Sequence, residues 1–225
     1  MAFDKTRFGG VVAPIVNPCG EDDSLDRGAL EANLTRLLAT DVAGLYINGG
    51  TGDAANLTQD ERLETAALLV PRLLAAGKLA IVHVGQTNQR QAVELARQAA
   101  ALGAHAVASI PPKKPWPQIV EYYKALAAAG APVIVYYIPG VTGMTAGMPE
   151  LRMLLDIPGV AGIKMSDWNI FLLRSVVLEY PEKVVYSGFD EMLVPGLLYG
   201  ADGCIGTWAN LLPDLYAKVY ARVRA

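Results

Sequence analysis

Val160-Ala161-Gly162-Ile163-Lys164-Met165-Ser166 is a short apolar run interrupted by one lysine. Side chains alternate faces along a strand, so Gly162, Lys164 and Ser166 share one face and Ile163 and Met165 the other. If Ile163 and Met165 meet helices, Lys164 points into whatever the strand encloses. An enclosed lysine is costly unless it is paired or used chemically. Taken alone, the segment also fits a strand shifted by one residue whose lysine reaches solvent at its end. The chemical reading is an amine whose pKa is lowered by desolvation and which condenses with a ketone.

On either side of this run the same pattern repeats. β-Branched stretches at Val11–Asn17, Gly44–Asn48, Leu79–Val84, Ala106–Ile110, Val133–Ile138, Lys183–Ser187 and Gly203–Thr207 complete a set of eight predicted strands. Between them, segments rich in Ala, Leu, Arg and Glu predict helices at Asp26–Thr40, Gln59–Ala76, Asn88–Leu102, Pro117–Ala129, Pro149–Asp156, Asn169–Glu179 and Glu191–Tyr199, with a last one opening near Pro213. Thr58 before Gln59-Asp60-Glu61 is an N-cap with an acidic first turn. Pro117, Pro149 and Pro213 suit first helical positions. Gly77, Gly103 and Gly130 fall where a helix ends in a left-handed residue. Repeated strand–helix units imply parallel strands with right-handed crossovers. Eight units predict a closed α/β barrel, the (β/α)8 or TIM fold, formed by residues 1–225 as one domain. A doubly wound open sheet is the alternative, but the glycine-rich fingerprint after its first strand is missing.

Composition narrows the function. Of the 225 residues 52% are hydrophobic and 18% charged, enough for a large core and too little charge for disorder. The net charge of -3 and the lack of a Lys/Arg block argue against nucleic acid or an anionic membrane as partner. The first ten residues lack a signal peptide's apolar run, and no stretch approaches the ~18 apolar residues of a membrane span. Cys19 and Cys204 stand outside any metal or redox spacing and read as reduced thiols of a cytoplasmic protein. Two histidines, His83 and His105, are too few for a His-bound metal with a His base beside it.

Four more segments fall at strand ends, where barrel active sites lie. Tyr136-Tyr137-Ile138-Pro139-Gly140-Val141-Thr142-Gly143 closes the fifth strand. Tyr136 lies on the face of Ile134, placed to donate or relay a proton, or to be an ordinary core tyrosine. Gly49-Gly50-Thr51-Gly52-Asp53 follows the second strand; its N–H groups can hold a carboxylate, or it is a plain tight turn. Gly188-Phe189-Asp190-Glu191 follows the seventh and offers acids to a polyol's hydroxyls, or an acidic first turn to the next helix. Gly206-Thr207-Trp208 can close the pocket with a hydroxyl and an aromatic wall.

In this order, over nearly the whole chain, these segments resemble the N-acetylneuraminate lyase and dihydrodipicolinate synthase superfamily. The match extends through Gly196-Leu197-Leu198-Tyr199-Gly200-Ala201-Asp202-Gly203-Cys204-Ile205-Gly206-Thr207. The resemblance implies that Lys164 forms a Schiff base, that Tyr136 relays protons, and that Thr51 orients the tyrosine and substrate. It places the pyruvate carboxylate on the N–H groups near Gly50 and Thr51. The synthases have an arginine where Val141 stands and the lyases an apolar residue. Ser166, Gly188, Asp190, Glu191 and Thr207 are similar to the lyase residues that hold the sugar. The implied activity is a class I aldolase cleaving a 2-keto-3-deoxy sugar acid, foremost N-acetylneuraminate, to pyruvate and an aldehyde. The implied partner is a small keto acid, the cofactor none beyond the covalent imine, and the assembly a homo-oligomer, a tetramer. The alternatives are an aldolase or dehydratase for 2-keto-3-deoxygluconate-type acids, or a non-catalytic carboxylate-binding regulator.

The chain departs from the pattern at four places. Gly50 replaces a Ser or Thr, Asp53 a Glu, and Tyr137 an Asn or His. Pro112-Lys113-Lys114-Pro115-Trp116 replaces a segment that in many members supplies an aromatic residue to the neighbouring subunit. The resemblance also implies further C-terminal helices that residues 1–225 lack.

Overall fold

The computed structural model describes residues 3–225. Eight parallel strands, β1 (Gly10–Pro14), β2 (Gly44–Ile47), β3 (Leu79–His83), β4 (Ala106–Ser109), β5 (Val133–Tyr137), β6 (Val160–Met165), β7 (Val184–Ser187) and β8 (Gly203–Cys204), pair in chain order and close β8 onto β1. The predicted (β/α)8 barrel is therefore the fold. Around it run α1 (Arg27–Leu38), α2 (Gln59–Ala75), α3 (Gln89–Ala101), α4 (Trp116–Ala127), α5 (Pro139–Thr142), α6 (Met148–Leu155), α7 (Ile170–Glu179), α8 (Leu193–Leu198) and α9 (Pro213–Arg224).

Local chemistry accounts for the boundaries. The Thr58 hydroxyl accepts the Glu61 N–H while the Glu61 carboxylate accepts the Thr58 N–H, a reciprocal cap that starts α2. Gly77 and Gly103 follow their helices at φ 67° and 84°, a conformation that Cβ-bearing residues resist. Pro213 takes the first position of α9. Pro117 and Pro149 take second positions instead, because α4 and α6 each begin one residue earlier than their prolines suggest.

The observed strands stop short of the predicted ends. Val11–Asn17 pairs only to Pro14, and Gly203–Thr207 only to Cys204, after which Thr207–Asn210 coils into a 3-10 turn. Apolar character continues past the ladder because these residues stay packed: Ile15 joins the layer between barrel and helices and Ile205 the barrel interior, both buried without being strand residues. The short helix α5 has no counterpart in the sequence reading; its four residues carry too little periodicity to show.

Two apolar layers result. Outward strand residues such as Leu45, Val107 and Ile163 pack against the helices, which bury Leu30, Leu34 and Leu37 of α1 and Leu69 and Leu73 of α2. Full burial of each such side chain contributes roughly 1.5–3 kcal/mol. Inward residues Val12, Tyr46, Ile81, Ala108, Ile134, Tyr136 and Tyr186 fill the barrel. Phe8, in the 3-10 turn Lys5–Phe8, plugs its lower end, where the Tyr186 hydroxyl donates to the Phe8 carbonyl at 2.6 Å. The C-terminal ends of the strands form the open end.

Register sets the neighbours at that end. β5 and β6 slip by one residue between Val133 and Ile134, so that Ile134 faces Gly162 and Tyr136 faces Lys164. The slip places two inward side chains, the phenol and the amine, on adjacent strands at one level.

Candidate active site

Lys164 is 5% exposed, inside the barrel near the end of β6, which confirms the strand phase read from the sequence. Its amine stands 4.1 Å from the centroid of the Tyr136 ring and 4.8 Å from that of Tyr46. Burial lowers its pKa from the ordinary lysine value, and the nearby Tyr136 and Asp190 oppose that shift. Desolvation thus favours the neutral, nucleophilic amine.

The cavity over Lys164 has a volume of about 260 Å³. Every site residue expected from the sequence contributes to its wall: Gly50, Thr51, Tyr136, Lys164, Ser166, Gly188, Asp190, Glu191 and Thr207. The sequence reading did not assign five others to the site, Pro14, Tyr46, Ile138, Phe189 and Ile205, which are apolar or aromatic and carry no polar signal to mark them. A larger cavity of 530 Å³ lies on the other side of Gly50, among Arg62, His83, Lys113 and Val141. It does not include Lys164, so the buried amine belongs to the smaller one.

The hydrogen bonds redistribute some expected roles. The hydroxyl that meets Tyr136 is that of Ser166, which donates to it at 3.3 Å. Thr51 was expected to orient Tyr136; its hydroxyl instead pairs with that of Thr207 at 2.8 Å. The reason is local: Thr51 lies in the turn beyond β2 and reaches across the mouth, while Gly50, nearer the strand, has no side chain. Bonds from Gly52 to Gly49 and from Asp53 to Gly50 close that turn, and leave the Gly50 and Thr51 N–H groups outside its own pairing. Successive free N–H groups of this kind suit a carboxylate.

Asp190 also differs from expectation. Its carboxylate accepts the N–H of Thr207 at 3.0 Å and of Trp208 at 3.2 Å, and the Tyr216 hydroxyl at 2.7 Å. It caps the 3-10 turn of the neighbouring loop, not the helix that follows it, and holds Thr207 at the mouth. Glu191 is exposed and lines the cavity. Gly188 is required by space: a Cβ there would fall 2.2 Å from Ser166 Oγ and 3.1 Å from Lys164 Cε.

Buried groups behind the cavity fix the turn beyond β2. Asn48 adopts φ 58°, unusual for a residue with a side chain. Its carbonyl meets His83 Nδ1 at 3.0 Å, and His83 Nε2 accepts the Ile110 N–H at 3.1 Å. Burial, with Arg62 and Lys164 nearby, pulls the His83 pKa down to about 3. His83 is therefore a neutral brace between β2 and β4. Burial likewise pushes the Cys204 thiol up to about 12, and both cysteines are free.

Comparison with known proteins agrees with this geometry. The model of the dihydrodipicolinate synthetase family matches residues 7–225. The chain belongs to that family. An N-acetylneuraminate lyase of Rhizobium meliloti is 35% identical over 216 residues, covering 93% of this chain and 71% of the relative. One from Escherichia coli is 29% identical over 220 residues, covering 95% and 73%. Among solved structures, N-acetylneuraminate lyase from Fusobacterium nucleatum superposes with a TM-score of 0.89 at 26% identity, over 96% of this chain and 75% of the other. A prophage protein of the dihydrodipicolinic acid synthase family from E. coli K12, solved in complex with pyruvate, gives a TM-score of 0.91 at 26% identity, over 96% and 76%. Family membership and a buried lysine inside the barrel go together with Schiff-base chemistry on that residue.

Proposed function

We propose that this protein is a class I aldolase that cleaves N-acetylneuraminate to N-acetylmannosamine and pyruvate. The observation that carries the reading is the Lys164 amine, buried in the barrel beside Tyr136 at the base of a cavity. The names of the relatives support the substrate. Lys164 adds to the C2 ketone, and loss of water gives a protonated imine. The Gly50 and Thr51 N–H groups hold the carboxylate. Tyr136 takes the proton of the C4 hydroxyl, the C3–C4 bond breaks, and its electron pair passes into the imine to give an enamine as the aldehyde leaves. Protonation at C3 and hydrolysis return pyruvate and the free amine. The scheme draws on no metal or organic cofactor.

Glu191, Ser166 and Thr207 face the part of the cavity that receives the polyol tail, and Asp190 supports Thr207 from behind. Val141 is 65% exposed and has no charge with which to bind a second carboxylate, which disfavours condensation with aspartate semialdehyde. Among the described residues no helix is long and apolar enough to cross a membrane. We further propose a cytoplasmic location, from the two free thiols, and a homo-oligomer. Phe171, Leu178, Leu198 and Leu211 leave more than 60% of their surface exposed, and self-association would cover them.

The test is pyruvate release from N-acetylneuraminate and from 2-keto-3-deoxygluconate, compared as kcat/KM in the wild type and in Glu191→Gln. The expected result is a preference for N-acetylneuraminate that narrows in the variant. A wild type that prefers the shorter acid overturns the substrate and leaves the aldolase standing. No pyruvate from either overturns both.

A further inference from the structure

Tyr46 has no part in the scheme above. Its side chain is 1% exposed on the inward face of β2, lines the cavity over Lys164, and buries a hydroxyl that has no hydrogen-bond partner among the described residues. The turn beyond β2 makes room for it: a Cβ on Gly49 would fall 2.6 Å from the ring. The rings of Tyr46 and Tyr136 meet edge to face, with centroids 6.3 Å apart and planes at 87°. The Lys164 amine lies over both faces, so it sits in the corner of two perpendicular aromatic walls. Among the described residues no carboxylate forms an ion pair with it. Burial raises the Tyr46 pKa well above the ordinary phenol value, so the ring stays neutral and what it offers the nitrogen is its π face.

Aldol cleavage needs a positive charge on that nitrogen. The imine is cationic, the enamine formed by C–C cleavage is neutral, and the charge returns when C3 is protonated. A buried cation without a counter-ion is costly unless something else meets its charge. The negative face of an aromatic ring does so, and more strongly when water is excluded. We propose that Tyr46 belongs to the reacting centre: its ring, with that of Tyr136, forms a two-walled aromatic cage that stabilises the cationic imine on Lys164. This rests on the aldolase reading. It assigns a role to a residue that touches the reacting nitrogen without exchanging a proton.

The test replaces Tyr46 with Phe, with mono-, di- and trifluorinated phenylalanine, and with Leu. Fluorination keeps the shape of the ring while draining its π face. The readout is the pyruvate concentration that half-saturates borohydride-trapped adduct on Lys164, measured across pH. Tyr46→Phe is expected within about twofold of wild type; above the pH midpoint, where the free amine is neutral, half-saturation should rise at each fluorine and Tyr46→Leu should be weaker by about 2- to 30-fold. The pH midpoint for trapping should fall along the same series, because the free ammonium also loses its aromatic wall. A merely structural role would lower thermal stability without following fluorination, and a flat series overturns the proposal. So does Tyr46→Phe as weak as Tyr46→Leu, which would transfer the role to the hydroxyl. Absence of any adduct in the wild type overturns the aldolase reading itself, a different failure from a flat series.

Discussion

At the scale of residues, the chemistry divides between what touches the substrate and what places those groups. Tyr136→Phe keeps the ring beside Lys164 and removes only the relay hydroxyl. It should leave imine formation with pyruvate largely intact and slow cleavage by ~10²–10⁴-fold. Single-turnover kinetics check this, and near-wild-type cleavage, with Tyr137→Phe inactive instead, would move the relay to the neighbouring residue. Gly188→Ala puts a methyl group against Ser166 and Lys164, and should reduce kcat/KM while the far-ultraviolet circular dichroism stays native. Wild-type kinetics would show that Ser166 has room to turn away. Lys164 and Tyr136 were legible in the sequence because strand alternation fixes which side chains point inward. Tyr46 was not, since an aromatic residue in an apolar strand reads as core until the position of the amine is known.

Between elements, the loops after β2, β7 and β8 hold one another. Asp190 pins the Thr207–Asn210 turn and Tyr216, so Asp190→Ala should cost about 1–3 kcal/mol and raise KM by freeing Thr207. Denaturant unfolding measures the first effect; a loss of turnover at unchanged stability would mean that Asp190 acts on the substrate directly. This role was hidden from sequence reading, because nothing local tells an acid that caps its own helix from one that caps a loop seventeen residues on. The His83 brace makes a pH prediction. Its folded pKa of about 3 lies below the unfolded value near 6.5, so protonation favours unfolding. Its stabilisation is complete above pH ~6.5 and is lost as pH falls toward 3, with a slope approaching about 1.4 kcal/mol per pH unit. His83→Gln should be less stable at neutral pH and show a shallower acid dependence. An unchanged slope would mean that the carboxylates carry all of it.

For the whole molecule, the strand–helix alternation was enough to give the barrel, since eight repeats leave parallel strands few ways to close. The sequence was less clear where the barrel opens. There apolar residues run beyond the ladder, strands are misread as too long, and short turns such as Pro139–Thr142 and Thr207–Asn210 escape periodicity. Those turns shape the cavity, which is why two partnerships in its wall, Thr51 with Thr207 and Asp190 with its neighbouring loop, were not legible. What the fold supplies is a sealed lower end, a slip between β5 and β6 that aligns phenol with amine, and a cavity that keeps the amine out of bulk water. All three serve one claim, that Lys164 is the nucleophile. The most direct measurement is the mass of the intact protein after incubation with pyruvate and borohydride, followed by peptide mapping. The account predicts one reduced pyruvate adduct per chain, on Lys164, and none in Lys164→Ala. An adduct on Lys113 or Lys183, or an unmodified chain, would contradict it.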